Sequence, residues 1–383
     1  AKSRRMASEL ERDFRRVGRD LCAGDGLCST ACPVGINTGE LIHVIRGREM
    51  PILNRGVASF AAEHLASVAG CAAAMLWLAS LGRRILGERL MASVCERLHR
   101  YSFGAIPLWT PSVPAPASMR KMRAAGESAA SRFEKKAGKV VYFPSCINQR
   151  MGAAPGKKPV VEEMMELLGK AGYEVVFPER MERLCCGTIW ESKGMPDIAD
   201  RKTAELAVAL AAASENGKWP VLCDQSPCLY RLRKKISGMK LYEPAEFIEK
   251  FILGRVRIIP VDKPIAVHVT CSMRKMGLTD SLIRVAKACT RSVFVPEEVG
   301  CCAFAGDKGF THPGLNEWAL RKLRGQIKRA GVVHGYSNSR TCEIGLSTHS
   351  GVVYSSIVHL VNDLAMPMDG AEKKKSAAVG SGV

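Results

Sequence analysis

The 383-residue sequence lacks most of the motifs that mark enzymes with a pocket for substrate or nucleotide. It has no G-x-G-x-x-G turn, no Walker loop and no serine-nucleophile elbow, so it shows no dinucleotide, nucleotide or acyl-transfer chemistry of its own. Its eight histidines include no H-x-x-H or H-E-x-x-H spacing. No zinc-finger pattern, RNA-binding aromatic motif or recognition helix accompanies its positive charge, which argues against nucleic acid as a partner. No signal-peptide pattern is present, and the chain is too long for the small secreted domains that cysteine frameworks staple. A hydrophobic fraction of 47% and a charged fraction of 24% exclude wholesale disorder. The length allows two or three domains with cores of their own.

What the sequence does have is cysteine. Fifteen are present, most of them in tight local groups, and two doubled pairs read Cys185-Cys186-Gly187 and Cys301-Cys302-Ala303. That is metal-ligand usage in a reducing compartment, and a cytoplasmic location is expected. The formal net charge of +19 concentrates in residues 2–19, 120–139 and 373–375. It reads either as solvated faces and a linker, or as attraction to an anionic membrane surface or an acidic redox partner. The second reading adds peripheral contact with the inner face of the membrane. One apolar stretch, Leu65 to Gly82, runs 18 residues without a charge. Its many Ala, Ser and Gly residues dilute it, so a buried helix in a helical subdomain is expected rather than a span.

Three regions separate along the chain. Residues 1–104 have apolar residues at helical spacing and few β-branched runs. Residues 105–138 hold Pro107, Pro111, Pro114 and Pro116, then an Ala/Ser/Lys-rich stretch, which reads as an exposed linker. From Lys139 short apolar strands alternate with amphipathic helices: strands at Val140–Phe143, Tyr173–Phe177 and Pro220–Cys223, helices at Val160–Gly172 and Ala199–Ser214. Strands at Ile265–Val269 and Ser292–Pro296 and helices at Thr279–Thr290 and Pro313–Ala330 repeat the layout. Such alternation predicts mostly parallel sheets. The cysteine landmarks recur at offsets of 125 residues (Cys146 to Cys271), 116 (Cys185 to Cys301) and 114 (Cys228 to Cys342). Three ordered correspondences predict an internal duplication with a pseudo-twofold axis. The expected architecture is therefore α/β: a helical ferredoxin-like N-terminal domain, then duplicated cysteine-rich modules at 139–258 and 259–365, with parallel sheets, and a disordered basic tail at 366–383.

The most specific motif is Cys22-Ala-Gly-Asp25-Gly-Leu-Cys28-Ser-Thr-Ala-Cys32-Pro33. Bacterial-type ferredoxin loops run C-x2-C-x2-C-x3-C-P, short spacings that converge thiolates on one [4Fe–4S] cubane. Cys22, Cys28 and Cys32 fall on the first, third and fourth positions and Asp25 on the second. A carboxylate there would be a harder ligand and leave its iron more exchangeable. In two-cluster ferredoxins the fourth cysteine serves the other cluster, yet this chain has no second C-x2-C-x2-C motif. An upstream segment or a partner is expected to supply it.

In the first module Cys146, Cys185, Cys186, Cys223 and Cys228 each fall near the carboxyl end of a predicted strand, where open parallel sheets place their ligands. Five thiolates there suit an iron–sulfur cluster, or a zinc with a ligand to spare. The second module repeats Cys271, Cys301, Cys302 and Cys342 but has Ser337 where the first has Cys223. It is expected to bind a different metal state or none. Cys71, Cys95 and Cys289 stand alone on apolar helix faces and read as core packing; His268 lies three positions before Cys271, where a ligand role is the lesser reading.

Taken together, the N-terminal motif with Cys32-Pro-Val-Gly-Ile-Asn-Thr-Gly, Leu184-Cys-Cys-Gly187, Cys223-Asp-Gln-Ser-Pro-Cys228 and Ser337-Asn-Ser-Arg-Thr-Cys-Glu343 resembles a known arrangement. It is similar to the C-terminal iron–sulfur half of the FAD-linked D-lactate dehydrogenases. The tandem domain is similar to those of glycolate oxidase iron–sulfur subunits and heterodisulfide reductase. Two departures are visible: the last pair of the first module is spaced C-x4-C, wider than C-x2-C, and the second module lacks one cysteine. The resemblance implies the electron-handling half of a larger flavoenzyme that oxidises a D-2-hydroxy acid, D-lactate foremost. FAD would lie on an upstream domain or partner, and a quinone or cytochrome would be the acceptor. It leaves open a heterodisulfide-reductase-like subunit acting on a disulfide, and a structural docking module whose cysteines bind zinc.

Overall fold

A computed structural model describes residues 2–104, 106–152 and 156–368. The N-terminal region is helical, as its spacing predicts: Lys2–Asp13 continues as a π-helical turn over Phe14–Asp20, followed by Leu27–Ala31, Thr38–Arg48, Ile52–Glu63 and Leu65–Tyr101.

Two parallel sheets follow. In the first module β1 (Gly138–Phe143), β2 (Tyr173–Val176), β3 (Val221–Cys223) and β4 (Leu241–Tyr242) lie in the order β2-β1-β3-β4. After β5 (Val256–Ile258), the second module places β6 (Ile265–Val267), β7 (Val293–Phe294), β8 (His334–Tyr336) and β9 (Tyr354–Ser355) in the order β7-β6-β8-β9. Both sheets are parallel throughout and share one topology, so the α/β class and the duplication are both seen. A final strand, β10 (Ala365–Pro367), pairs antiparallel with β5 and joins the ends of the two modules.

Period-two alternation explains the layering. In β1, Val140 and Tyr142 enter a core shared by both modules, while Val141 and Phe143 enter a core built mostly by the first module and joined by Ala62 of the Ile52–Glu63 helix. In β6, Ile265 and Val267 face the same shared core and Ala266 faces a core of the second module. Each sheet therefore lends one face to the joint. Buried polar contacts close it where the two copies meet. Gln225 Nε2 donates to Ser339 Oγ at 3.1 Å, and these two residues occupy equivalent positions in the two copies. Beside it, Ser226 Oγ donates to the Asn338 carbonyl at 2.9 Å and Asn338 Nδ2 to Glu243 at 2.7 Å.

Four expectations are corrected. The Leu65–Gly82 stretch lies in a 37-residue helix, broken at Gly87 (φ 73°), whose most apolar window is 0% buried. It is not a core helix, because none of that window is buried. By length and composition it could cross a membrane. Cys71, on that helix, is accordingly exposed, whereas Cys95 and Cys289 are buried. The 105–138 stretch is not wholly an exposed linker: Met119–Ala130 is a helix that buries Met122 and Ala130, and Gly126 lets Met165 of the Val160–Lys170 helix approach. The long helix foreseen over Pro313–Ala330 is two, Pro313–Leu320 and Leu323–Arg329. At the break, Arg321 turns back on the Trp318 carbonyl through both its backbone N–H and its guanidinium. Of the expected tail, residues from 369 onward lie outside the described residues.

Candidate metal centres

The N-terminal motif forms a loop capped by two short elements. Gly24 (φ 63°) and Gly26 (φ 70°) take left-handed conformations on either side of Asp25, which only glycine adopts freely. Cys28 lies in the Leu27–Ala31 helix and Cys32 caps its end. Hydrogen-bond donors converge on these sulfurs. Thr38 Oγ1 donates to Cys28 Sγ at 3.1 Å and lowers its pKa, helped by the backbone N–H groups of Gly39, Thr38 and Ser29. The backbone N–H groups of Ile36, Val34 and Gly35 do the same for Cys32. Such donors favour thiolates and are one of the levers that set cluster potentials. Cys28 is exposed and Cys22 and Cys32 half-buried.

The loop is fastened to both modules. Arg46 donates to the carbonyls of Arg19 and Cys22 and, at 2.8 Å, to that of Ser192 in the first module. Gly47 meets Gly194 so closely that a Cβ on Gly47 would sit 2.4 Å from the Gly194 oxygen. Lys275 Nζ, in the second module, donates to the Asp25 carbonyl at 2.5 Å. His43 was not legible as a site residue. Its Nε2 is buried without a hydrogen-bond partner and lies against Gly24, inside the motif loop.

In the first module the five thiols form a connected row in the segments that follow β1 and β2 and from the end of β3 onward. Cys146 pairs with Cys185, Cys185 with Cys186, Cys186 with Cys228, and Cys228 with Cys223. All but Cys146 are buried. Cys186 is held well below the usual thiol pKa, because Cys185 and Cys228 both donate to it and Thr188 adds a further hydrogen bond. Its flanking thiols are pushed up: Cys185 by hydrogen bonds to Cys146 and Cys186, Cys228 by those to Cys186 and Cys223, and both by burial. Buried Asp224 braces the row, accepting from Tyr142 Oη at 2.8 Å and from Ser145 N at 2.9 Å, so that the ends of β1 and β3 stay together.

The second module repeats the row as Cys271, Cys301, Cys302 and Cys342, with Cys302 and Cys342 sulfurs 3.1 Å apart. The turn after each doubled cysteine is the same in both copies. Gly187 N donates to Cys185 Sγ at 3.4 Å and Ala303 N to Cys301 Sγ at 3.2 Å, with φ of 88° and 54° respectively. Ser337, in the place of Cys223, pairs with His268 Nδ1 at 3.1 Å. His268 is buried, which lowers its pKa to about 4 and keeps it neutral.

Asp25 also comes close to the second module. Among the described residues, one set of three donors lies as close together as a single ion requires: Asp25, Cys271 and Cys301, whose ligand atoms are all within 4.8 Å of one another. The other candidate ligands form no such set of three among the described residues.

Residues 140–233 match the family model of the CCG cysteine-rich domain. The match runs from β1 past β3 and includes the first module's five cysteines, and it supports an iron–sulfur cysteine-rich module with a part in redox chemistry. No curated protein matches the chain. Among solved structures, an aspartate racemase homologue from Pyrococcus horikoshii is 11% identical. That alignment covers 64% of this chain and 100% of the homologue, and its TM-score of 0.25 carries no argument.

Proposed function

We propose that this chain is the iron–sulfur electron-transfer portion of a flavin-linked D-2-hydroxy-acid dehydrogenase, with D-lactate the favoured substrate. It works between reduced FAD on a flavin domain or subunit and a quinone or cytochrome-type acceptor. The observation that carries the reading is the row of five thiols in the first module, four of them buried. The donor set is all sulfur, which suits iron–sulfur clusters and excludes hard cations. Cys22, Cys28 and Cys32 would hold a [4Fe–4S] cluster with a fourth ligand from outside their loop. Cys146, Cys185, Cys186, Cys223 and Cys228 would hold a second cluster. Bound clusters supply one-electron transfer, while the flavin supplies the hydride chemistry.

The chain's own groups tune such clusters. The N–H of Gly187 at Cys185, and the hydroxyl of Thr38 with its neighbouring amides at Cys28, stabilise charge on sulfur. Burial of four of the five thiols limits the access of water to the row. The exposed helix Leu65–Tyr101 and the basic excess support attachment to an anionic membrane from its cytoplasmic side, where a quinone acceptor would be found.

Anaerobic purification with iron and acid-labile sulfide quantitation, followed by EPR of the reduced protein, tests the reading. Iron and sulfide in comparable amounts, reduced by Cys186→Ser, are expected. Zinc bound without iron or sulfide would overturn it in favour of a structural module.

A further inference from the structure

We infer that Asp25, Cys271 and Cys301 form a mononuclear site for a borderline divalent cation, Zn²⁺ or Fe²⁺, in which the N-terminal motif supplies a ligand to the second module. The three ligand atoms lie within 4.8 Å of one another. Two thiolates at about 2.3 Å from a tetrahedral ion stand about 3.8 Å apart, so a small inward movement completes the site. Terminal ligands of a cubane sit further apart than that. Two sulfurs and one carboxylate oxygen suit zinc, ferrous iron or cobalt; magnesium and calcium take oxygen alone, and cuprous copper takes soft donors. Three protein ligands leave the fourth tetrahedral position open, the arrangement of exchangeable rather than purely structural sites.

The surroundings hold each ligand in place, as a metal site needs. Asp25 Oδ1 accepts from Leu27 N at 3.1 Å, which sets the carboxylate, and its carbonyl accepts from Lys275 Nζ. Lys275 is itself seated over the Tyr230 ring at 4.1 Å and belongs to the short helix that begins at Cys271. Cys301 Sγ accepts from Ala303 N. All three ligands are half-buried, so an ion can enter from solvent.

Comparison of the two copies sharpens the assignment. Each module ends with five donors, but the fifth differs. In the first it is Cys223, next to Cys228. In the second, Ser337 has turned to His268, and Asp25 joins the opposite end of the row, beside Cys271 and Cys301. Metal there would pin the motif loop to the second module across some 250 residues of sequence. The inference does not rest on the iron–sulfur reading: it needs one ion, and no sulfide.

The test uses the full chain, metal-depleted under anaerobic conditions and titrated with Co²⁺. Absorption reports bound cobalt, and hydrogen exchange reports residues 22–28. The wild type is expected to bind one equivalent more than Asp25→Ala at the same free cobalt, or to bind it more than about tenfold tighter. Cobalt should slow exchange of the 22–28 amides in the wild type and not in Asp25→Ala. Asp25→Cys should keep the equivalent and gain sulfur-to-cobalt charge-transfer intensity. Cys301→Ser should lose the same equivalent as Asp25→Ala, and the double variant should lose no more. A Cys22/Cys28/Cys32 triple serine variant should retain it. The inference is overturned if Asp25→Ala binds and protects like the wild type, or if the Asp25-dependent equivalent disappears with the triple variant. Absence of acid-labile sulfide from the native protein would sink the cluster reading and leave this one standing.

Discussion

Replacing Gly187 by alanine probes why the first doubled cysteine is followed by glycine. Gly187 has φ 88°, and a Cβ there would lie 2.3 Å from the Ala199 oxygen and 3.0 Å from Arg231 Nε. Neither neighbour is free to move. The Ala199 carbonyl accepts from Thr203 Oγ1 at 2.8 Å, and Arg231 Nε, on a buried guanidinium, donates to the Cys186 carbonyl at 2.9 Å. A left-handed alanine costs about 1–2 kcal/mol, and forced overpacking adds about 1–3 kcal/mol. Gly187→Ala should therefore destabilise the chain by about 2–5 kcal/mol and loosen the Cys185–Cys186 turn. The equivalent residue of the second module is already alanine, at φ 54°. Ala303→Gly should relieve about 1–2 kcal/mol of strain and return about 0.5–1 kcal/mol through the freer unfolded chain. Urea unfolding of both variants, with thiol accessibility at Cys185 and Cys186, reads the contrast. A wild-type midpoint for Gly187→Ala, or equal destabilisation by Ala303→Gly, would refute the reasoning.

Burial pushes Glu243 up to about 7. Its folded pKa lies above the unfolded value of 4.5, so its stabilising contribution is full below pH 4.5 and is lost as pH rises through 7. The stability of the wild type relative to Glu243→Gln should thus fall by about 3 kcal/mol between pH 4.5 and 8 in urea melts, and a flat difference would count against it. His359, lowered to about 4 by burial, acts with the opposite sign: its contribution is present above pH 6.5 and lost as pH falls through 4. Wild type should lose stability relative to His359→Gln over that window in the same melts. Lys275→Met removes a charged hydrogen bond to Asp25 worth about 1.5–3 kcal/mol. Amide exchange at residues 22–28 should accelerate at least about tenfold, and unchanged exchange would mean the loop is held elsewhere. Trp77 and Leu78 are exposed on the apolar helix. The Trp77→Asp/Leu78→Asp variant should float poorly with anionic vesicles that carry the wild type, at unchanged iron content; equal flotation would dismiss membrane contact by this helix.

Much was legible in the chain because it is local. The spacing of Cys22, Cys28 and Cys32 sets a loop, and each doubled cysteine is followed by a left-handed turn in the segment after β2 or β7. Repetition at nearly constant offsets revealed the two sheets, since equal strand order follows from equal element order. Strand ends and the split near Arg321 were less legible, because tertiary hydrogen bonds decide where an element stops. Three features belonged to the tertiary structure alone. The apolar run at Leu65–Gly82 has the same composition whether covered or bare, and only the packing leaves it bare. The Ala-rich stretch before β1 becomes a packed helix, with Gly126 against Met165 and Ala130 against Gly169. Asp25 reads as the second ligand of its own motif by spacing. That its carboxylate also lies within 4.8 Å of the Cys271 and Cys301 sulfurs, with a lysine 250 residues away on its carbonyl, is visible only in the tertiary structure. Spacing determines which donors a segment offers; the long-range joint determines which of them meet.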